Sequence, residues 1–396
     1  MTQHHPHQTR SRLLATLALA AGAAITLTAC SSGSGSPTPA STTEAAQPHG
    51  YVAGATEAQE PQLRLLSVSE GGEVGLHDLL SGEDDDLDDV EAPEHHATDG
   101  RFLMTTGAEH TTILDGGAWT VDHGDHTHYY AAEPRVVGTL DGTGPVDVHS
   151  SETVTTVSWP DAGRSVALDR AALGQGDVEV VAEVDAGVLL PVTDGFVAAT
   201  DDRVEVLDAD GEPAAGATST ACAEPAGGIV TRAGATIGCA DGAVIVDDSG
   251  TATTVALPDG APRATSFHAR AGRPTVAGIA GDVGYWLLDT RHGSWRLVET
   301  ERPVTAVTAV DDDEEHVVAV QDDGRVVVTD GTGASNSTEP LLEDQATPLL
   351  QLDAQRAYLA DPTDGVVHEV DFADGARVAR TIELGTTPAA FAEVGL

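Results

Sequence analysis

Residues 195–208 read GFVAATDDRVEVLD. Two short runs alternate apolar with polar or small residues, meet at Asp-Asp and end on a further Asp, which is the pattern of two antiparallel strands joined by a tight turn. The same pairing recurs as PTVAGIAGD then GYWLLD, HVVAVQDD then GRVVVTD, and RAYLADPTD then GVVHEVD. Its closing aspartates are Asp78, Asp115, Asp169, Asp208, Asp248, Asp289, Asp330 and Asp371, spaced 37, 54, 39, 40, 41, 41 and 41 residues apart. A period near 40 with this strand content matches four-stranded propeller blades, the quoted pairs being the second and third strands of each. The fold expected is all-β: a single β-propeller of eight four-stranded blades over residues 61–396, or seven if one weak unit is not a blade. Residues 63–68 enter as a second strand and residues 388–394 leave as a first strand, so the C-terminal strand is expected to close the ring. The repeated aspartates and glycines are read as turn formers.

Composition agrees and narrows the function. Of 396 residues, 40% are hydrophobic and only 4% aromatic, with 43 glycines and 20 prolines, which suits many short strands and turns. There are 64 acidic residues against 19 basic ones, all arginine, for a net charge of −45. So strong an anion is unsuited to nucleic acid, whose binding draws on cationic side chains at the phosphates.

At the N-terminus, Arg10 and Arg12 precede an apolar run from Leu13 to Ala29, ending in Leu27-Thr28-Ala29-Cys30. This reads as a lipoprotein signal peptide over 1–29, with Cys30 lipidated after cleavage, and the run is short for a transmembrane span. The Ser/Thr/Pro/Gly-rich stretch 30–60 is expected to be a flexible tether, so that the chain is extracytoplasmic and meets the membrane through its lipid alone. Outside the cytoplasm Cys222 and Cys239 are expected to form a disulfide, worth about 3 kcal/mol through loop closure. A thiolate zinc site is the alternative, and Asp241 alone does not complete it.

One interval breaks the period. The 54-residue gap between Asp115 and Asp169 contains an insertion, GGAWTVDHGDHTHYY, at residues 116–130. His123, His126 and His128 crowd into it beside Asp122 and Asp125. In an extended segment, residues two apart share a side, so His126 and His128 can offer both imidazoles to one divalent ion, with a carboxylate ligating or fixing a ring tautomer. The remaining ligands are sought at the central channel, which the first strand of every blade lines. There EHHATDG, VDVHSSE and TSFHARAG place His96, His149 and His268 at roughly equivalent positions. His149, next after the insertion, is the foremost third ligand, then His268, then His96. The acidic run 83–89 is read as a solvated loop.

The segments EHHATDGRFLMTTG, WTVDHGDHTHYY, PRVVGTLDGTGPVDVHSS, IGCADGAVIVD and FHARAGRPTVAG resemble the extracytoplasmic zinc metallochaperones of the AztD type. The resemblance implies a monomeric propeller that binds Zn(II) and passes it to the solute-binding protein of a zinc ABC importer, with His126 and His128 as ligands completed by channel histidines such as His149. It implies a carrier and not an enzyme. A lactonase-like hydrolase with a metal at the channel mouth, or a metal-free interaction scaffold, are the alternative readings. Imidazole ligands also accept copper or nickel. Zinc affinity is expected to fall below about pH 6, where free imidazoles protonate.

Overall fold

The computed structural model describes residues 52–122, 126–343 and 348–396. Among these residues the regular secondary structure is nearly all strand, arranged in nine antiparallel sheets. Eight of them follow the repeat. Seven have four strands and the sixth has three, Thr275–Ile279, Gly284–Asp289 and Ser294–Glu299, with a two-residue bridge between His268 and Ala277 standing in for its inner strand. In each four-stranded sheet the hairpin read from the sequence occupies the two middle positions, as for Gly195–Thr200 and Arg203–Asp208 between Val188–Val192 and Thr220–Ala221. The arrangement is consistent with a β-propeller.

The repeat folds this way because the middle strands of each sheet are largely apolar on both faces and must be covered twice. Phe102, Met104 and Ile113 of the second sheet pack on Val157, Trp159, Val166 and Leu168 of the third. Equivalent clusters join each sheet to its successor, and Leu65 and Phe391 of the first sheet pack on Tyr358, Val367 and Ile382 of the eighth. The first sheet is itself assembled from both ends of the described chain: Pro388–Val394 is the inner strand beside Arg64–Ser69, with Arg64 opposite Val394. Residues 63–68 and 388–394 thus share one sheet, as expected from the sequence.

The aspartates serve turns. Asp78 Oδ1 accepts the amides of Leu80 and Ser81, at 3.0 and 2.9 Å, and Asp169 caps the short helix Arg170–Gln175. In the fifth unit the turn former is Asp247, which accepts from Ser249 and Thr251, and not its neighbour Asp248. The acidic run is exposed to solvent as expected, but it forms the outer strand Asp84–Leu87, paired with Val74–Asp78, and not a loop. Cys222 and Cys239 form the expected disulfide between two adjoining units of the chain. The signal peptide, Cys30 and most of the tether lie outside the described residues, and no helix among the described residues is long and apolar enough to cross a membrane. The last part of the expected tether differs from expectation: Thr56–Ala58 is a strand.

At the junction of the first and eighth sheets Glu393 is fully buried, and neither of its carboxyl oxygens has a hydrogen-bond partner among the described residues. Burial first, then the charges of Asp353 and Glu369, push its pKa well above the 4.5 of a free glutamate. Its folded-state pKa being raised, the associated stability is complete below about pH 4.5 and is lost as the pH rises toward the folded value. Glu393→Gln should therefore be more stable than wild type at about pH 8, by about 1–3 kcal/mol, with the difference closing as the pH falls. Urea unfolding across this range is the measurement, and a pH-independent difference would count against it.

Candidate metal centre

The insertion is a hairpin. Ala118–Asp122 pairs with Thr127–Ala131 between the third and fourth strands of the second sheet, Thr111–Asp115 and Arg135–Leu140. Its root is held by charge. Arg101, 2% exposed, donates through Nε and Nη2 to the two carboxylate oxygens of fully buried Asp115, at 3.1 and 2.8 Å, and its guanidinium lies 3.7 Å from the centre of the Trp119 ring. Asp115 also accepts the amide of Gly117, whose φ of +68° suits glycine and where a Cβ would stand 2.5 Å from the Ala132 carbonyl. Arg64 donates to the carbonyls of Gly116, Gly117 and Ala132 from the first sheet. Trp119 stacks on Tyr130, ring centres 5.3 Å apart, with Val52 against them.

The outer end reaches toward another part of the chain. Asp122, the last residue of Ala118–Asp122, pairs at 2.5 Å with Arg232, which follows the inner strand Gly228–Thr231 of the fifth sheet. The Arg232 amide in turn bonds to the carbonyl of Gly272, four residues after His268. Asp122, a candidate ligand or orienting carboxylate from sequence, is thus engaged by an arginine. His123 and Asp125 lie outside the described residues.

His126 and His128 stand on one side as the alternation requires, their rings 5.0 Å apart and edge to face. His128 Nδ1 is 2.7 Å from Glu57 Oε1. Glu57 belongs to Thr56–Ala58, which pairs antiparallel along the hairpin's free edge with Glu57 opposite Tyr130. Sequence reading missed this carboxylate, because Thr-Glu-Ala carries no strand pattern and extends only where an open edge supplies backbone partners.

The channel histidines divide by register. His149 is opposite Thr156, two residues beyond Val154, which faces Asp169. His268 is opposite Ala277, two residues beyond Thr275, which faces Asp289. In the second sheet the same rung, two beyond Phe102 opposite Asp115, holds Met104, whose inner partner is Ala97. His96 is one residue out of step, opposite Thr105, so it occupies the other face of its strand. The expected equivalence therefore holds for His149 and His268 and is corrected for His96.

His149 is partly enclosed. Its pKa is lowered to about 4: burial drives the shift, Asp99 opposes it, and the charge of nearby His268 adds to it. His268 is exposed, yet the protein around it disfavours the charged ring and lowers its pKa. His96 is likewise lowered to about 4, by burial and then by His95. Asp99 stays a carboxylate: burial pushes its pKa up, and Arg170, Ser150 and the Phe102 amide outweigh that. Among the described residues no three His, Cys, Asp or Glu side chains are grouped closely enough to hold a metal ion. The histidines form two groups instead, His126 with His128 on the hairpin and His149 near His268 on the inner strands.

This fold is of the AztD type. Two structures of Citrobacter koseri AztD, one of them described as apo, each align with a TM-score of 0.70 at 17% identity, over 85% of this chain and 98% of theirs. The dihydro-heme d1 dehydrogenase NirN in complex with DHE aligns at 0.55 and 16% identity, over 84% of this chain and 75% of its own. No protein-family model matches the chain, and no curated protein matches it.

Two measurements check this geometry. Arg101→Ala leaves the buried Asp115 carboxylate without its cation and should cost about 3–5 kcal/mol in denaturant unfolding. In the metal-free protein His149 should titrate near pH 4, read from its ring proton shifts, and not near 6.5. Because the unfolded chain takes up that proton at the higher pH, this histidine's contribution to stability declines as the pH falls from 6.5 toward 4.

Proposed function

We propose that the protein is an extracytoplasmic zinc metallochaperone: an eight-bladed propeller, lipid-anchored through Cys30, that holds Zn(II) and passes it to the solute-binding protein of a zinc ABC importer. The observation that carries the reading is the hairpin, whose paired imidazoles His126 and His128 sit on an arm extended to Arg232, near the inner-strand bridge that bears His268. The resemblance in the sequence around HGDHTHYY and the AztD-type fold support it. Eight repeat sheets, packed each on the next and the eighth on the first, support the blade number.

The zinc is cargo. His126 and His128 would bind it from the arm, and His149 and His268 would bind it from the inner strands, where His149 resists protonation and so remains a lone-pair donor at mildly acidic pH. Exposed His126 is the group an incoming partner's ligand can displace first, while the more enclosed His149 lets go last. A histidine set of this kind exchanges ligands stepwise, as release to a second protein demands, whereas a closed thiolate site opens slowly. The exposed acidic surface, part of a net charge of −45, would raise the local cation concentration.

Zinc stoichiometry and affinity for wild type and for His126→Ala with His128→Ala test the reading. The double variant should bind at least about 100-fold more weakly, having lost two direct ligands. Unchanged tight binding defeats it.

A further inference from the structure

The strand Thr56–Ala58 lies outside the propeller repeat and outside the insertion, and joins the one to the sequence that precedes it. Its three residues pair with Ala131, Tyr130 and Tyr129, running antiparallel to the strand that bears His128. Of the three side chains, Glu57 alone is ionisable, and its Oε1 lies 2.7 Å from His128 Nδ1, with 43% of the glutamate side chain and 22% of the histidine side chain exposed. The His128 ring is also stacked at 6.3 Å over Tyr130, the cross-strand partner of Glu57, so its plane and its Nδ1 edge are both fixed.

We infer that Glu57 is a positioning residue for metal binding, a carboxylate that accepts the Nδ1 proton of His128, holds the ring in the Nδ1–H tautomer and so turns the Nε2 lone pair toward the ion. The inference rests on the zinc reading above. Its chemistry is general: an imidazole has one proton for two nitrogens, and a carboxylate on one of them leaves the other as the donor atom, makes it more basic and removes the cost of reorienting the ring. A neutral acceptor at the same place would fix the tautomer with less gain in basicity. The residue is supplied by the segment that leads out of the tether, so the metal arm is complete only when that segment is laid along its edge.

The test uses the full chain as wild type, Glu57→Asp, Glu57→Gln and Glu57→Ala. Long-range nitrogen–proton correlation spectra of the metal-free protein, at about pH 8 where imidazoles are neutral, report the His128 tautomer. Competition with a chromophoric chelator reports zinc affinity, and the visible bands of the Co(II)-substituted protein report ligand geometry. Expected are the Nδ1–H tautomer in wild type, a shift toward the Nε2–H form in Glu57→Ala, about 10–100-fold weaker zinc binding in that variant, an intermediate loss in Glu57→Gln and partial rescue in Glu57→Asp. A tautomer and affinity unchanged in Glu57→Ala would overturn the inference, as would weakened affinity with an unchanged tautomer, which is a purely structural effect. If His126→Ala with His128→Ala loses zinc while Glu57→Ala does not, the inference alone fails. If neither variant loses zinc, the function fails with it.

Discussion

Arg101 and Asp115 meet at the root of the hairpin, both almost wholly out of water, and the remainder of the arm depends on their meeting. Asp115 ends the third strand of its sheet where the insertion begins, and its carboxylate is anchored on both oxygens by one guanidinium. Bidentate geometry and the added Gly117 amide satisfy the buried charge. The same guanidinium underlies Trp119, so the pair sets the angle at which the arm leaves the sheet. A regular scaffold thereby carries an irregular element without distorting its own strand order, since Arg135–Leu140 resumes the sheet beside Thr111–Asp115.

Much of this was legible because repeats average out local ambiguity. A single segment such as GFVAATD could belong to many folds, but recurrence at a fixed interval singles out one architecture, and the same regularity exposed residues 116–130 as its exception. What escaped was whatever depends on a single residue's register. His96 and Ala97 are adjacent, and no feature of EHHATDG says which of them faces the same way as His149. Asp247 and Asp248 pose the same difficulty, and the turn hydrogen bonds choose between them. Glu57 was invisible for another reason: its strand has no apolar pattern and owes its existence to a partner strand in which Tyr130 faces Glu57.

The imidazoles separate by environment. Those on the arm are exposed or half-exposed and are arranged by contacts with side chains from elsewhere in the sequence, whereas His149 is arranged by its rung in a sheet and by Thr156, which donates to its carbonyl. One group is set by a hairpin and a strand at its edge, the other by the scaffold itself.

The two ends of the arm are constrained unequally. Its base is locked by a desolvated ion pair, while its far end is fastened to Arg232 by groups about half open to solvent, an attachment of the kind worth about 1 kcal/mol or less and weakened by salt over a Debye length of about 8 Å. Mechanically this is a cantilever with a catch at its tip: ionic strength loosens the catch and leaves the pivot untouched.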